Sequence, residues 1–534
     1  MALSIVDVVL ASEVEVLIAG AGPTGLTLAG LLGQRGIRTL VIDPHHEAYP
    51  LPRAVHLDDE VLQILHQLGV GEQFAKISEP ASGLRLVDSD HRTLAQFERR
   101  KTGSLPQANM FDQPDLEELL RRNLTRFASV TLAGGQELIG VMQSSSLATV
   151  RVRNVDTGSL QLVHAKFVIG CDGANSVVRS LIGSKNIDLG FEQRWLVVDV
   201  QCGVPVDAWN GVQQVCDTNR AATYMHVTGD HHRWEFQLLE SESADDYRGL
   251  EDLRGLIDPW VSHIDDSDLL IVRCLEYTFR ARVAQQWRRG RLLIAGDAAH
   301  LTPPFIGQGM GSGLRDAMNL AWKLDIALRS SDFDAVLDSY EAERAPHAKA
   351  LVRRAVMIGK VMTGGGRIAI AARRVVLPLL NRIPRLGDVI LSSATPSLVA
   401  GPLVSGRVPR KIRGSLLPLL CLVPAAGEVL IDPTVGSGFT LLISSESDRH
   451  LVQGLRAARV VCPGANPSHP GKRALAEWLE GAGARFALIR PDGVILAIGG
   501  TFAELARRSE VRWVCPLLPD EQTLADAIRT WRLR

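Results

Sequence analysis

The stretch Val14-Glu-Val-Leu-Ile-Ala-Gly-Ala-Gly-Pro-Thr-Gly25 constrains this chain more than any other. Residues 14–18 are a short apolar run of the kind that fills a buried parallel strand. Gly20, Gly22 and Gly25 follow in G-x-G-x-x-G spacing, with Pro23 and Thr24 inside the turn, and the apolar helical segment Leu26-Thr-Leu-Ala-Gly-Leu-Leu32 begins at once. The spacing has a physical reason. The first glycine permits a tight turn, the second lets the backbone approach a pyrophosphate, and the third lets the helix pack closely on the strand. The helix N-terminus then faces the phosphates. A second apolar run, residues 38–42, ends in Asp43, where a carboxylate would hold an adenosine ribose. Glycine-rich turns also occur for structural reasons alone. Strand, turn, helix, second strand and terminal acid together predict a dinucleotide-binding βαβ unit.

That unit needs only a fraction of 534 residues, so two or three domains are expected. The composition, 46% hydrophobic and 22% charged with a net charge of -1, is that of a soluble globular protein. No basic tract points to nucleic acid or an anionic membrane. The seven cysteines are scattered and form no C-x-x-C pair, which argues against a disulfide framework or zinc site and suits a reducing cytoplasm. No metal site is expected: His45 and His46 lack ligand-spaced neighbours. Signal-peptide features are missing from the N-terminus. Residues 14–32 approach the length of a membrane span, but the nucleotide turn explains their glycines better, so no span is expected.

Along the chain, Leu51-Pro-Arg-Ala-Val-His-Leu-Asp-Asp-Glu60 leads into an amphipathic helix over 61–69. Asp58 and Asp59 sit where a cap is wanted, and capping with dipole compensation accounts for at least one of them. Residues 84–97 alternate like a strand of an antiparallel sheet. A helix begins near Phe111, with Pro114 in its first turn. A hairpin of 147–152 with 161–169 runs into Gly170-Cys-Asp-Gly-Ala-Asn-Ser-Val-Val-Arg179, a second turn of nucleotide type. Residues from about 186 to 286 alternate apolar and polar in the runs 195–200, 222–227 and 233–238 and read as a separate, mostly antiparallel lobe. A buried parallel strand then ends in Gly296-Asp297. The glycine-rich loop 301–313 is suited to bring backbone N–H groups against a flat ring, with a merely flexible loop as the plainer alternative. A long helix is expected from 314, and helices continue to about 391. Residues 392–414, rich in Pro, Gly and Ser, read as a linker to a separable small α/β domain.

The three separated turns, Gly20 to Gly25, Asp172-Gly173 and Gly296-Asp297, resemble those of the flavoprotein aromatic hydroxylases, single-component monooxygenases that use FAD and a reduced nicotinamide. The resemblance covers about residues 14–390. It implies that the first motif holds the ADP part of a non-covalent FAD. Asp172, Gly173 and the following Arg179 are then linked to both FAD and the nicotinamide, and Asp297 accepts hydrogen bonds from the ribityl chain. Arg53, within Pro52-Arg53-Ala54, and Gln113 match positions that touch the flavin. Pro304, Gly309, Met310 and Gly311 belong to the loop supporting its pyrimidine edge. There the usual Gly-Met-Asn reads Gly-Met-Gly, so an asparagine side chain is lost and loop rigidity is in question. Residues 53–60 and 233–236 look most like the hydroxylases of 3-(3-hydroxyphenyl)propionate.

The implied fold is α/β. A Rossmann-type FAD-binding domain (1–185, with a lobe strand near 84–100, and 287–391) carries an inserted, mostly antiparallel β-sheet substrate lobe (186–286). A C-terminal thioredoxin-like α/β domain (415–534) is similar to that of the phenol-hydroxylase branch and lacks a redox cysteine pair. The implied reaction hydroxylates a phenolic ring with O2 and NADH or NADPH, a small phenolic acid being the first expectation. A tailoring hydroxylase of polycyclic polyketides and a flavin-binding protein without oxygenase activity are the alternatives. A base assists by removing the phenolic proton. Asp58 is the first candidate, followed by His56, Tyr224 and His226; the last two occupy alternate positions and share one sheet face. Arg220 and Arg233 are candidate partners for a substrate carboxylate. Expected partners are the aromatic substrate and O2, with a homodimer left open.

Overall fold

The strand Glu13–Ala19 lies inside a sheet because its residues 16–19 are apolar on both faces, and its neighbours come from distant parts of the chain. The computed structural model describes residues 9–50, 53–99, 106–330, 333–364, 374, 376–378, 395–399, 401, 403–405, 408–417, 438–452, 458–463 and 470–506. On one side Glu13–Ala19 pairs in parallel with Thr39–Asp43, which pairs with Val130–Gly134. On the other it pairs with Leu160–Gly170, which pairs with Leu292–Ile294. The register places Ala19 beside Gly170 and Gly170 beside Ile294. The three turns that follow these strands therefore emerge side by side at one sheet edge, where such sheets bind ligands.

Residues 186–286 supply most of a second sheet, ordered His300–Leu301, Leu270–Ala284, Asn186–Gln201, His231–Gln237, Ala222–Thr228, Val212–Val215, Gly83–Val87, Thr93–Glu98. Its pairs are antiparallel except Val212–Val215 with Gly83–Val87. The strand near 84–100 thus joins the lobe. Strand alternation splits the side chains of the lobe sheet. Leu196, Val198, Tyr224, Trp234 and Phe236 pack with Trp260 of the helix Leu250–Val261 into a core. That helix is absent from the sequence expectation, which read the region as sheet alone. Its amphipathic stretch is short and bounded by alternating strands.

Helix Gly309–Arg329 starts five residues before the expected 314, so Gly309, Met310 and Gly311 form its first turn. Helix Asp334–Thr363 packs beside it. The helices expected between 364 and 391 lie almost wholly outside the described residues. A third sheet, in the order Ala458–Val461, Phe439–Ile443, Phe486–Ile489, Ile495–Gly499, carries the helix Pro470–Gly481. Its first two strands are parallel and the remaining pairs antiparallel. The strand expected near 427 and the end of the terminal helix lie outside the described residues.

Composition alone misleads about residues 392–414. Leu398, Leu403, Val404 and Val408 are buried, and Ser405 N donates to Leu496 O (3.2 Å), so the described part of this stretch is packed onto the C-terminal sheet. The join to the helices Gly309–Arg329 and Asp334–Thr363 is a buried charge cluster. Arg490 donates to both oxygens of Glu343 (2.9 Å each) and from Nε to Asp492 (2.9 Å). Lys323 and Asn319 also donate to Glu343 (2.9 Å each). The Arg490 guanidinium lies 5.1 Å from the Trp322 ring centroid. Among the described residues, no helix is long and apolar enough to cross a membrane, and no cluster of His, Cys, Asp or Glu is placed to hold a metal ion.

Candidate active site

The three turns and the second sheet enclose a cavity of about 550 Å³. Its nucleotide side is shaped by glycine. Gly20 has φ +107°, and a Cβ there would sit 2.3 Å from Cys171 O. A Cβ on Gly25 would sit 2.0 Å from Gly20 O, so both positions close the turn. At Gly22 nothing lies within 4 Å of a Cβ position, which leaves the start of helix Pro23–Gly33 open to a ligand. Gly22, Pro23 and Thr24 line the cavity. Asp43 braces the same turn by accepting from Ala21 N (2.7 Å) and His45 N (2.8 Å).

In the second turn Gly173 lines the cavity while Asp172 is spent on the chain. It accepts from Ser176 Oγ (2.5 Å), Val177 N (2.7 Å) and Val178 N (3.1 Å), capping the helix that follows. Arg179 donates to Ala298 O (2.9 Å) and Ala174 O (2.7 Å), fastening the second turn to the third. In the third turn Asp297 projects into the cavity. Enclosure by the walls raises its pKa, opposed by the charges of His300 and Arg53. Gly296 N donates to Asp316 Oδ2 (3.1 Å), and Asp316 also binds His300 (2.7 Å) and Arg344 (2.8 Å). Asp316, Arg344 and His300 were not anticipated as site residues. The available signal was two charges, Asp316 and Arg344, within the stripes by which their helices are buried.

Arg53, Gln113, Pro304, Gly309 and Met310 line the same cavity. Gln113 steadies the Arg53 segment by accepting from Ala54 N (2.7 Å) and donating to Glu117 (2.7 Å). At Gly311 a Cβ would lie 3.0 Å from Arg315 Nη1 and 3.0 Å from Val61, so the missing side chain leaves room for Arg315. Rigidity is supplied another way. Arg315 donates to both oxygens of Asp58 (2.8 and 2.7 Å), to Glu60 (2.8 Å) and to Gln308 (3.1 Å).

This network corrects the expectation for Asp58. The residue is 1% exposed and is not among the cavity's lining side chains. Besides Arg315, it accepts from Gln308 Nε2 (2.7 Å) and, as helix cap, from Val61 N (2.9 Å). Burial alone would raise its pKa, but the charge and hydrogen bonds of Arg315 outweigh burial and lower it. A carboxylate so stabilised and so placed is a brace and a poor base.

Tyr224 and His226 are corrected by strand alternation. They share a face, as expected, but Thr223 and Met225 are the residues that meet the cavity. Tyr224 is buried in the lobe core, its hydroxyl 3.0 Å from His232 Nδ1, and burial raises its pKa further. His226 Nε2 donates to Gly229 O (2.9 Å). His56 does line the cavity, 3.4 Å from Arg99 Nη2. Burial and the Arg99 charge push its pKa down to about 4, so its imidazole is neutral at pH 7.

Arg220 lies away from the cavity, paired with Glu242 and Tyr247. Arg233 lines it, with Nε donating to Asp199 (2.7 Å) and Nη1 to Arg53 O (3.0 Å). Asp199 also holds Arg273 (2.5 Å) and His231 (3.0 Å), and His231 reaches Asp112 (2.8 Å). Burial opposes a charge on His231, but the two aspartates prevail and push its pKa up to about 9.

Comparison with known proteins agrees with this geometry. Residues 13–355 match the family model described as FAD binding domain. The chain is 32% identical over 510 residues to the probable NADH-specific resorcinol 4-hydroxylase of Rhodococcus jostii (strain RHA1), covering 92% of this chain and 93% of that protein. It is 32% identical over 499 residues to the 3-(3-hydroxy-phenyl)propionate/3-hydroxycinnamic acid hydroxylase of Mycolicibacterium smegmatis (strain ATCC 700084 / mc(2)155), covering 90% of this chain and 82% of that protein. The fold is similar to that of aklavinone-11 hydroxylase crystallised with FAD and aklavinone (TM-score 0.74, 21% identity, 98% of this chain and 99% of that one).

Proposed function

The chain belongs to the FAD-binding family of flavoprotein aromatic hydroxylases, and from that premise we propose that its cavity hydroxylates a small single-ring phenol. It is an FAD-dependent monooxygenase that draws electrons from NADH or NADPH. The carrying observation is that one cavity is bounded on one side by the three turns and on the other by the lobe sheet. One enclosure must hold the flavin ring and the substrate together. The substrates named for the two relatives, resorcinol and a hydroxyphenylpropionate, share one phenolic ring, which is the substrate class proposed here. Whole-length likeness to these enzymes favours it over a polycyclic phenol, since likeness at 21% identity speaks to the fold alone. The free cysteines among the described residues suit the cytoplasm.

The residues fit FAD. The open position above Gly22 and the helix start beside it suit the pyrophosphate, and Asp43 suits the ribose. Asp297 presents its carboxyl to the cavity, where ribityl hydroxyls would donate to it. Arg53 and the free amides at the start of Gly309–Arg329 suit the ring edge. Bound FAD supplies the activated oxygen once it is reduced. The chain's own part is to exclude water and orient the phenol. Met225, Trp195, Tyr277 and Phe279 give the cavity apolar walls.

Two results check this assignment. Resorcinol, 3-(3-hydroxyphenyl)propionate and a tricyclic phenol are each tested for stimulated NADH and NADPH oxidation, with product mass measured. One added oxygen on a single-ring phenol is expected; oxidation without any hydroxylated product would overturn the assignment. Asp297→Ala is expected to leave the chain folded and weaken FAD binding about ten- to hundredfold, the loss of charge-assisted hydrogen bonds worth about 1.5–3 kcal/mol. Unchanged affinity in a flavin titration would remove Asp297 from the FAD site.

A further inference from the structure

Alternate side chains of the strand His231–Gln237 divide between two environments. Trp234 and Phe236 enter the lobe core, while Arg233 and Glu235 face the cavity. Glu235 is 8% exposed, yet among the described residues no donor hydrogen-bonds its carboxyl. Three buried aspartates around this site, Asp58, Asp199 and Asp316, each hold an arginine. Arg233, on the same face as Glu235, directs its guanidinium to Asp199 and to Arg53 O.

Two polar residues on the adjoining strands are also committed elsewhere. Thr223 stands opposite Glu235 in the strand pairing, and its hydroxyl donates to Gln214 Oε1 (2.9 Å). The Gln214 amide donates to Ala222 O (2.9 Å) and Val215 O (3.1 Å). A buried carboxyl without a partner is costly unless an occupant of the cavity supplies the hydrogen bond.

Resting on the hydroxylase assignment above, we propose that Glu235 is the catalytic base that accepts the proton of the phenolic hydroxyl. The O–H bond breaks, its electron pair stays on oxygen, and the proton passes to the Glu235 carboxylate. Electron density fed into the ring lets a ring carbon bond one atom of O2. The other atom leaves as water, with the nicotinamide as the two-electron reductant. That carbon then loses its hydrogen as a proton, aromaticity returns, and Glu235 gives its proton back to the original oxygen. The sum is phenol, O2, NADH and a proton giving dihydroxyarene, NAD⁺ and water.

The environment suits the task. Burial raises the Glu235 pKa, Arg233 and Arg273 lower it, and Asp199 adds to the rise, so the balance is a stronger base than an ordinary carboxylate. Besides Arg233, the other titratable or charged side chains lining the cavity are Arg53, His56, Arg99, Cys171, Tyr277, Arg280, Asp297 and Arg354.

The test uses the FAD-loaded protein and whichever of resorcinol or 3-(3-hydroxyphenyl)propionate the parent hydroxylates. Glu235→Gln keeps the size and an acceptor oxygen but removes the base. It is expected to retain FAD and phenol-stimulated NADH oxidation, while hydroxylation slows about 10²–10⁴-fold and reduced flavin is diverted to hydrogen peroxide. Its residual hydroxylation should climb with pH as the phenol ionises in solution, a climb the parent lacks over the same range. A product-to-NADH ratio and pH profile equal to the parent's would overturn the proposal. Should Glu235→Gln not hold FAD, Glu235→Asp decides, because a carboxylate drawn back by about 1 Å costs roughly 10²-fold at a reacting centre. Parental coupling in that variant overturns the proposal; reduced coupling that recovers with pH supports it. A parent that hydroxylates no phenol refutes the hydroxylase assignment, whereas a coupled parent with an unaffected variant refutes only the role of Glu235.

Discussion

Replacing Arg490 with alanine is expected to cost about 3–5 kcal/mol, the loss typical when one partner of a buried ion pair is removed. Glu343 is 1% exposed and receives two hydrogen bonds from Arg490. Without them, its charge is left to Lys323 and Asn319, and Asp492 keeps only Asn319 as a side-chain donor. The contact over Trp322 and the bond to Leu403 O (3.0 Å) go as well. The C-terminal sheet should then detach before the rest of the molecule unfolds. Limited proteolysis of the FAD-loaded protein, read beside its melting temperature, checks this. Unchanged melting with parental cleavage would mean the cluster contributes nothing.

The same cluster sets an acid limit. Burial opposes the charge on Glu343, but Arg490 and Lys323 prevail and lower its pKa from 4.5 to about 2. A depressed carboxylate stabilises fully above its unfolded value, so this contribution disappears as pH falls from about 4.5 to about 2. Glu343→Gln should flatten that part of the stability profile. Arg490→Met with Glu343→Gln should recover part of the single-variant loss, since the charges that remain, Lys323 and Asp492, are of opposite sign.

Arg315→Met is expected to have an effect of similar size, about 3–5 kcal/mol, and to weaken FAD binding too. Arg315 is the counter-ion of Asp58 and Glu60 and the tether of Gln308, beside the first turn of Gly309–Arg329. Its loss sets two carboxylates against each other in a buried site and frees the loop at the proposed flavin edge. Adding Asp58→Asn, which keeps much of the capping ability, should restore part of the stability. Melting and flavin titration of the two variants decide it. If Arg315→Met melts and binds FAD like the parent, the bracing role is wrong.

Much of this architecture was legible because its signals are local. Glycine spacing marked the first turn, and the parallel sheet follows from apolar runs that end in Gly-Asp or precede Asp-Gly. The alternation of 222–228 was also legible, and it paired Tyr224 with His226 correctly. Alternation divides a strand into two sets but does not say which set faces the cavity when both faces are covered, here by Trp260 and by the cavity walls. Asp58 shows a different limit. Its partner Arg315 lies 257 residues away, so a helix cap with an arginine and a free base look alike from the neighbouring sequence. Glu235 lay inside a stretch singled out for its resemblance, but its isolation appears only when the bonds of Arg233, Thr223 and Gln214 are traced.

The order of the parallel sheet also governs how the chain must be made. Glu13–Ala19 leaves one edge unpaired until Leu160–Gly170 has been synthesised, and the end of that strand, residues 168–170, waits in turn for Leu292–Ile294, its start pairing with Ala148–Asn154. At about 5–20 residues per second, a ribosome takes on the order of 15–55 s to pass from the first of these strands to the last. Throughout that interval the nascent chain carries an apolar strand edge with no partner, the geometry that invites pairing between chains. The antiparallel ribbon of residues 222–237 has no such wait, because its strands are neighbours in sequence. Translation that stalls before residue 292 therefore yields an aggregation-prone stub, and overproduction should respond more to chaperone supply and growth temperature than to added flavin.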